Sequence, residues 1–172
     1  GYQVVEASNG FAALSALERD PQIDLLLADF AMPGMNGAEL ARQVRKRLPQ
    51  LPVVFITGHH QPGGHPTNWR QLAATARDAR LTLVIYMGLA TAADTSAKLM
   101  ADGQPASTPV AIIENGARPD ARVLRGRLDR LADLVREHNV QSPALIVVGA
   151  VAAYAALTPQ TFAIPALENA ES

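Results

Sequence analysis

Cysteine is absent from the 172 residues of this chain. Disulfides, thiolate metal sites and a cysteine nucleophile are therefore excluded, and the composition suits a reducing compartment such as the cytoplasm. The chain also lacks an apolar run of about 18 residues, which a transmembrane helix needs. Its first residues, Gly1 to Glu6, have neither the basic nor the apolar region of a signal peptide, and we expect no such peptide.

Charge of one sign is not in excess either. The formal net charge is -1 at pH 7, which gives no electrostatic reason to expect nucleic acid or an anionic membrane as a partner. Hydrophobic residues make up 48% of the chain and charged residues 18%, as in a well-buried globular protein. A chain of this length supports one α/β domain, or two small units that share a sheet.

Hydrophobic periodicity in the first third of the chain alternates between strand-like and helix-like segments. The predicted elements are a strand at 2–7, a helix at 11–19, a strand at 23–28, a helix at 36–48 and a strand at 52–57. The nearly uninterrupted apolar run at 23–28 is typical of a central parallel strand that is covered on both faces. This βαβαβ order predicts an open parallel sheet.

The rest of the chain continues this alternation after a connector rich in glycine and proline at 60–66. The predicted elements are a helix from Thr67, strands at 81–86, 109–113, 122–125 and 143–148, and helices at 92–101 and 128–138. The short connection before 122–125 makes that strand antiparallel to its neighbour. The whole pattern predicts an α/β fold: a mostly parallel sheet with helices on both faces and an antiparallel strand in the C-terminal half.

The first candidate site lies at the carboxyl ends of two neighbouring strands. Asp29 follows the strand at 23–28 and Thr57 ends the strand at 52–57, so in a parallel sheet we expect the two side chains side by side. A carboxylate beside a hydroxyl can accept a phosphoryl group with the help of a divalent cation. The alternative is that Asp29 caps a loop or the helix that follows.

The motif Asp29-x-x-Met32-Pro33-x-x-x-Gly37, followed by a Pro-Val-Val-x-x-Thr strand, resembles the receiver domain of bacterial response regulators. The resemblance implies that Asp29 is the phosphoacceptor, that Thr57 follows the phosphoryl group and that Mg²⁺ binds beside Asp29. The acidic pair that holds Mg²⁺ in that family would lie before the first residue, and the family's lysine after its fifth strand has no counterpart. We therefore expect no efficient phosphorelay.

Turns that contain glycine end two later strands and form the second candidate site. Met87-Gly88 follows the strand at 81–86, and Asn115-Gly116 follows the strand at 109–113. Because glycine lets other groups approach the backbone, such turns can hold a flat heterocycle through main-chain hydrogen bonds and apolar contacts. The alternative is that these glycines only turn the chain.

Three segments of the second half resemble uroporphyrinogen-III C-methyltransferase, which is also the C-terminal module of sirohaem synthase. They are Thr82-Leu-Val-Ile-Tyr-Met-Gly-Leu89, Pro109-Val-Ala-Ile-Ile-Glu-Asn-Gly116 and Ser142-Pro-Ala-Leu-Ile-Val-Val-Gly149. The resemblance covers about residues 55–153 and implies an S-adenosylmethionine site. In that site Met87 and Gly116 contact the cofactor, while Gly88 and Ala111 shape the pocket. The family's N-terminal domain, with its acidic catalytic residue, has no counterpart here, so no catalytic residue is assigned.

Two further groups of residues are candidate sites. His59, His60 and His65 lie close together in sequence, but a connector rich in glycine and proline does not fix tetrahedral geometry, so we expect a surface loop and no metal site. Five arginines between residues 118 and 130 are interleaved with acids, which is typical of a solvated face. They are Arg118, Arg122, Arg125, Arg127 and Arg130.

The two resemblances meet within 52–59, where both families carry a similar apolar strand. We therefore predict a chimeric α/β protein, natural or engineered, with a receiver-like fragment at 1–59 and a methyltransferase-like subdomain at 60–172. Neither part carries the full set of groups that its family uses for turnover, so we expect no efficient catalysis. The alternatives are a binding domain with partial affinity for S-adenosylmethionine and a receiver fragment phosphorylated on Asp29. Because the methyltransferase family is dimeric, a homodimer is a further expectation.

Overall fold

The computed structural model describes residues 3–20, 22–58, 69–76 and 81–154. Within these ranges, five α-helices and six strands follow one another along the chain. In chain order they are α1 (Gly10–Arg19), β1 (Leu26–Asp29), α2 (Gly37–Arg47), β2 (Val53–Gly58), α3 (Trp69–Ala76), β3 (Leu81–Tyr86), α4 (Ala92–Ala101), β4 (Pro109–Glu114), β5 (Arg122–Arg127), α5 (Leu131–Glu137) and β6 (Ala144–Val148). Short 3-10 turns occupy Leu89–Thr91, Leu128–Arg130 and Ala150–Ala153.

All six strands belong to one sheet, in the order β1-β2-β3-β6-β4-β5. β1, β2 and β3 are parallel, β6 is antiparallel to both β3 and β4, and β5 is antiparallel to β4. β1 to β4 therefore point the same way, while β5 and β6 run against them. This confirms the predicted α/β class and the antiparallel strand in the C-terminal half, and it adds β6 as a second one.

The pairing of β2 with β3 joins the two predicted parts of the chain. It runs in parallel register from Val53 opposite Leu81 to Gly58 opposite Tyr86. In the centre of this ladder the fully buried Phe55 and Leu83 lie in the same row, so side-chain packing as well as the backbone ladder connects the parts. The two parts therefore share one sheet and one core.

The described helices form a single layer, whereas the sequence predicted helices on both faces. Alternate strand residues such as Phe55, Leu83 and Ile146 enter one hydrophobic core, and every described helix contributes to it. The helix residues include Leu17, Leu40, Leu72, Leu99 and Leu131. On the opposite face Val54 and Val84 are only half-buried. Since β2 and β3 are apolar on both faces, their sequence does not reveal that the described helices cover one of them.

Asparagine side chains begin the first two helices. Asn9 Oδ1 accepts a hydrogen bond from Ala12 N, and Asn36 Oδ1 accepts one from Glu39 N, both at 2.9 Å. These N-caps satisfy backbone donors that a helix leaves without an intrahelical partner. At the start of α2 the glycine at position 37 lets the helix approach β1, because a Cβ there would lie 2.8 Å from Asp29 O.

Several predicted elements differ from the structure. Residues 3–7 form no strand, and Val4 is 78% exposed, since none of the described strands pairs with this segment. The strand predicted at 23–28 begins at Leu26 and lies at the edge of the sheet, and because Leu27 is 58% exposed it is not covered on both faces. The helix predicted at 128–138 divides into the 3-10 turn Leu128–Arg130 and α5.

Three predicted features lie outside the described residues: the connector at 60–66, the helix start at Thr67 and the part of the predicted first strand at residue 2. Among the helices that the structure describes, none has the length and apolarity needed to span a bilayer.

Candidate functional site

Asp29 ends β1 with its side chain exposed. Its Oδ1 accepts a hydrogen bond from Ala31 N at 3.0 Å, and the next residue continues the ladder, with Phe30 N donating to Ile56 O at 3.0 Å. The carboxylate thus shapes the loop that follows β1, as the alternative interpretation of Asp29 predicted. This hydrogen bond does not preclude chemistry at the exposed carboxylate.

Thr57 and Asp29 lie on neighbouring strands but not in the same row. The register places Asp29 opposite Ile56, so Thr57 lies one residue farther along β2, opposite Ile85. Because successive side chains of a strand point to opposite faces, Thr57 belongs to the core face and is 3% exposed. The two side chains therefore do not lie side by side, contrary to the expectation from the sequence.

The two turns that contain glycine lie at the same end of the sheet, where β3 and β4 finish. Tyr86, the last residue of β3, and Ile113 in β4 both pair with Leu145 of β6. The ends of β3 and β4 are therefore two strand spacings apart, roughly 10 Å, with the start of β6 between them. Met87 is 66% exposed and has a φ of 53°, and Asn115 has a φ of 51°. Both turns thus use left-handed backbone at a non-glycine residue, which is uncommon.

Hydrogen bonds within the two turns leave two main-chain N–H groups, those of Gly88 and Gly116, without an acceptor among the described residues. Gly88 O accepts from Thr91 N at 3.2 Å, Asn115 N donates to Pro143 O at 3.0 Å, and Asn115 O accepts from Arg118 N at 3.0 Å. Among the bonds of the described residues, none gives an acceptor to Gly88 N or Gly116 N.

Space around the two glycines is tight. A Cβ at Gly88 would lie 3.0 Å from both Ile146 Cδ1 and Ile85 Cγ2, and one at Gly116 would lie 3.3 Å from Ile113 Cγ2. Packing against the strands therefore favours glycine at both positions, in addition to any role in binding.

Ala111 lies within β4, away from the two turns. It lies within β4, opposite Val147 of β6 and Arg125 of β5, and is 6% exposed. The strand continues for three more residues to Glu114, so Ala111 lies roughly 10 Å from the strand end that carries the Asn115-Gly116 turn. The structure brings together Met87, Gly88 and Gly116 at one edge, and it places Ala111 deeper in the sheet.

Glu114 is a residue of this edge that the sequence interpretation missed. One oxygen, Oε2, pairs with Arg122 Nε, and the other, Oε1, accepts a hydrogen bond from Gln141 N at 2.7 Å. The Arg122 guanidinium, and then the Gln141 amide, hold the pKa of the Glu114 carboxyl below its usual value. An acid inside an otherwise apolar strand was the signal that could have revealed this residue.

Arg122 departs in part from the predicted solvated face of arginines. Its Nη2 donates to His138 O at 3.0 Å while its Nε holds a carboxylate that is only 7% exposed, so it links β4, β5 and the segment before β6. Arg127 and Arg130 behave as predicted, with exposed ion pairs to Asp129 and Asp133, each at 2.8 Å.

No metal centre is evident in the part of the chain that the structure describes. Within it, no three His, Cys, Asp or Glu side chains are arranged to hold an ion. The three histidines that lie close together in sequence, His59, His60 and His65, are outside the described residues.

Comparison with known proteins finds two different similarities in this mixed α/β chain. Residues 1–78 match the response regulator receiver domain family. A second stretch is similar to siroheme synthases: it is 44% identical over 100 residues to the siroheme synthase of Pseudoalteromonas translucida and 48% identical over 99 residues to siroheme synthase 1 of Cronobacter sakazakii. Each alignment covers 58% of this chain and 20% of the relative, so the chain spans about a fifth of the length of these curated relatives.

Solved structures support the fold alone. A cobalt precorrin-4 methyltransferase superposes with a TM-score of 0.51 at 19% identity, covering 81% of this chain and 57% of that one.

The two sequence matches overlap, because 78 and 100 residues together exceed the 172 of the chain. The chain is therefore a two-part protein that combines similarity to a response regulator receiver domain with similarity to siroheme synthase.

Proposed function

We propose that this chain is a chimera whose siroheme synthase-like part binds S-adenosylmethionine weakly, through the turns after β3 and β4, and does not turn over a tetrapyrrole efficiently. The observation that carries this proposal is the pair of main-chain donors, Gly88 N and Gly116 N, at one edge of the sheet without an acceptor among the described residues. The sequence similarity to siroheme synthase, whose family uses this cofactor, supports the choice of ligand.

The residues at this edge fit a flat nucleoside ligand. Main-chain N–H groups suit the ring nitrogens and hydroxyls of an adenosine group, and the exposed Met87 side chain offers an apolar contact for its ring. Bound here, S-adenosylmethionine supplies an electrophilic methyl group. The chain's own residues bind and orient the ligand, and the Glu114–Arg122 pair fixes the strand end before the Asn115-Gly116 turn.

Turnover needs more than a bound methyl donor. Proton transfer to or from a substrate requires a positioned acid or base, and the turns themselves consist of methionine, glycine and asparagine. Two carboxylates lie next to them: Glu114 is held by Arg122 and Gln141, and Asp120 Oδ2 accepts a hydrogen bond from Asn115 Nδ2 at 2.8 Å. We therefore assign no catalytic residue, as the sequence interpretation did, and propose weak binding without efficient methyl transfer.

Calorimetry with S-adenosylhomocysteine tests the binding step, because this product lacks the transferable methyl group and cannot react. We expect saturable heat with a dissociation constant between micromolar and millimolar, or about −8 to −4 kcal/mol. Absence of heat at millimolar ligand would refute the cofactor site. Adenosine alone serves as a comparison, since the main-chain donors address this part of the ligand. Incubation with S-adenosylmethionine and uroporphyrinogen III tests turnover, and efficient methylation would contradict the second half of the proposal.

A second candidate function rests on the receiver match at residues 1–78 and on the exposed Asp29 carboxylate. In this alternative a carboxylate oxygen of Asp29 attacks the phosphorus of acetyl phosphate, the bond from phosphorus to acetate breaks, acetate leaves, and Asp29 becomes an aspartyl phosphate. Asp29 offers a single carboxylate to a Mg²⁺ ion, which usually binds one or two carboxylates together with water and phosphate oxygens. Treatment with acetyl phosphate and Mg²⁺, followed by intact mass measurement, would show an added phosphoryl group in the native chain and none in Asp29→Asn. An unmodified native mass ends this alternative.

Two finer points belong to the same proposal. We place the boundary between the parts at residues 59 and 60, inside the stretch 1–78 that matches the receiver domain family. We also propose the cytoplasm as the compartment, since its reducing conditions suit a chain that contains no cysteine.

A further inference from the structure

Asparagine is followed directly by glycine at three places in the chain: Asn9-Gly10, Asn36-Gly37 and Asn115-Gly116. In such a pair the backbone nitrogen of the glycine can attack the asparagine side chain, because glycine has no Cβ to hinder the approach. This reaction makes asparagine a chemically labile residue and ends in an acidic side chain. The sequence motif is the same at all three places, whereas the structure distinguishes them.

The first two asparagines are fixed as helix caps. Asn9 Oδ1 and Asn36 Oδ1 each accept a helix N–H at 2.9 Å, and both following glycines, Gly10 and Gly37, are buried. Gly37 N also donates to Phe30 O at 3.0 Å. For either asparagine side chain to meet the glycine nitrogen, the cap has to break and the start of the helix has to open. Capping and packing therefore protect both pairs.

The third pair lies in the turn between β4 and β5. Asn115 is half-buried and Gly116 is exposed, and no described residue accepts a hydrogen bond from Gly116 N. Asn115 and Ala117 have φ values of 51° and 65°, in a left-handed region that is unfavourable for residues other than glycine. When this turn opens, it leaves an unfavourable backbone conformation and unfolds no helix.

One side-chain hydrogen bond restrains the Asn115 amide. Its Nδ2 donates to Asp120 Oδ2 at 2.8 Å, between two residues outside the core. Rotation of the amide toward Gly116 N requires release of this bond. Because water can replace the partners of an exposed hydrogen bond, the release is easy compared with the loss of a helix cap.

We propose that Asn115 is a site of spontaneous deamidation, that it reacts ahead of Asn9 and Asn36, and that Asp120 restrains it. Gly116 N gives its proton to hydroxide and attacks Asn115 Cγ. The new N–Cγ bond closes a succinimide ring, the Cγ–Nδ2 bond breaks, and the amide nitrogen takes a proton from water and leaves as ammonia. Water then opens the ring at either carbonyl, which gives aspartate or isoaspartate.

The net reaction consumes water and releases ammonia, so it needs no cofactor or enzyme. Its product places a second carboxylate beside Asp120 and removes the Nδ2 donor that holds the turn. Isoaspartate in addition lengthens the main chain before Gly116. The inference is independent of the proposed ligand, because it requires only the turn and water.

Peptide mass spectrometry of the full native chain, incubated at mildly alkaline pH with and without urea, tests the order of reaction. In the folded chain the peptide with Asn115 should exchange NH2 for OH at least about tenfold faster than the peptides with Asn9 or Asn36. In urea the three rates should converge, because the motif is the same. Equal rates in the folded chain, an unmodified Asn115, or the same lead of Asn115 in urea would each overturn the proposal.

Variants test the restraint by Asp120. Asp120→Ala should accelerate the reaction at Asn115 in the folded chain and leave it unchanged in urea. Asp24→Ala, at an exposed carboxylate before β1, is the matched control and should react like the native chain. A slower or unchanged reaction in folded Asp120→Ala would contradict the restraint.

Asn139 is an internal control for backbone conformation. Its φ of 47° is also left-handed, but the branched Val140 follows it and Val140 N donates to Val135 O at 3.0 Å. We expect this asparagine to stay unmodified while Asn115 reacts. Deamidation of Asn139 at the rate of Asn115 would show that the exposed glycine nitrogen does not determine the site.

Discussion

Glu114 and Arg122 form an ion pair across the antiparallel strands β4 and β5, in a register that places the two residues directly opposite each other. The same carboxylate accepts the Gln141 amide, and the same guanidinium donates to His138 O. One pair therefore connects two strands with the segment that leads into β6, next to the Asn115-Gly116 turn. Its loss would loosen this end of the sheet.

The Glu114 pair makes stability depend on pH. Because the folded state holds the pKa of Glu114 below its ordinary 4.5, the pair stabilises the fold above pH 4.5 and loses this contribution as the pH falls through the lowered folded pKa. We expect Glu114→Gln to melt at a lower temperature than the native chain at pH 7, and the difference to shrink below pH 4.5. Thermal melts by circular dichroism between neutrality and about pH 3 measure it.

Glu39 is the matched control, because Arg42 likewise holds its pKa below the ordinary value, yet this pair lies on the surface of α2. We expect Glu39→Gln to have a smaller effect at neutral pH, since surface ion pairs contribute little. A pH profile of Glu114→Gln that parallels the native profile at all pH values would contradict a role for this carboxylate.

Leu83→Ala tests whether the two parts share one core. Leu83 is fully buried in β3, in the row between Phe55 and Val148. Truncation should lower the free energy of unfolding by about 2–5 kcal/mol, through lost burial and the cavity that remains. We expect urea unfolding to stay a single transition with a lower midpoint. Two separate transitions, with only one of them shifted, would show that the parts unfold independently. Val151→Ala, at a residue 49% exposed, should change little.

Gly37→Ala tests the close approach of α2 to β1. The added Cβ would lie 2.8 Å from Asp29 O and 3.0 Å from Phe30 Cα, both backbone atoms that cannot rotate away. We expect a loss of about 1–3 kcal/mol in a urea titration, as for other overpacked sites. Gly58→Ala is the matched control, since a Cβ there meets nothing within 4 Å. Equal stability of the two variants would mean that α2 and β1 separate without strain.

Gly116→Val tests the proposed ligand site. The branched side chain would crowd the turn beside Ile113 and hinder approach to Gly116 N. Calorimetry should show S-adenosylhomocysteine binding at least about tenfold weaker, a loss of about 1.4 kcal/mol. Gly126→Val on β5 adds the same side chain where a Cβ meets Leu134 Cδ2 at an ordinary 3.4 Å, and it should bind like the native chain. Unchanged affinity in Gly116→Val would place the ligand elsewhere, provided that melting shows both variants folded.

Sequence patterns were sufficient for most elements with strong periodicity. The strand at 81–86 and the helix at 92–101 have the bounds that were predicted, because each is a continuous apolar or amphipathic segment between turn residues. The turns after β3 and β4 were also recognised, since glycine after a strand is a local signal. The Glu114–Arg122 pair was not, because an ion pair between two strands depends on register, which local sequence does not specify.

Local sequence patterns were enough to establish the α/β class, the two-part similarity and the turns that follow β3 and β4. These follow from local periodicity and from motifs, which act over a few residues. Only the folded structure shows that β1 lies at the edge of the described sheet and that residues 3–7 form no strand. It also shows that Thr57 faces the core while Asp29 is exposed, and that the described helices form one layer. The physical reason is that a strand exists only with a partner, and the partner and register are chosen by packing between residues far apart in the chain.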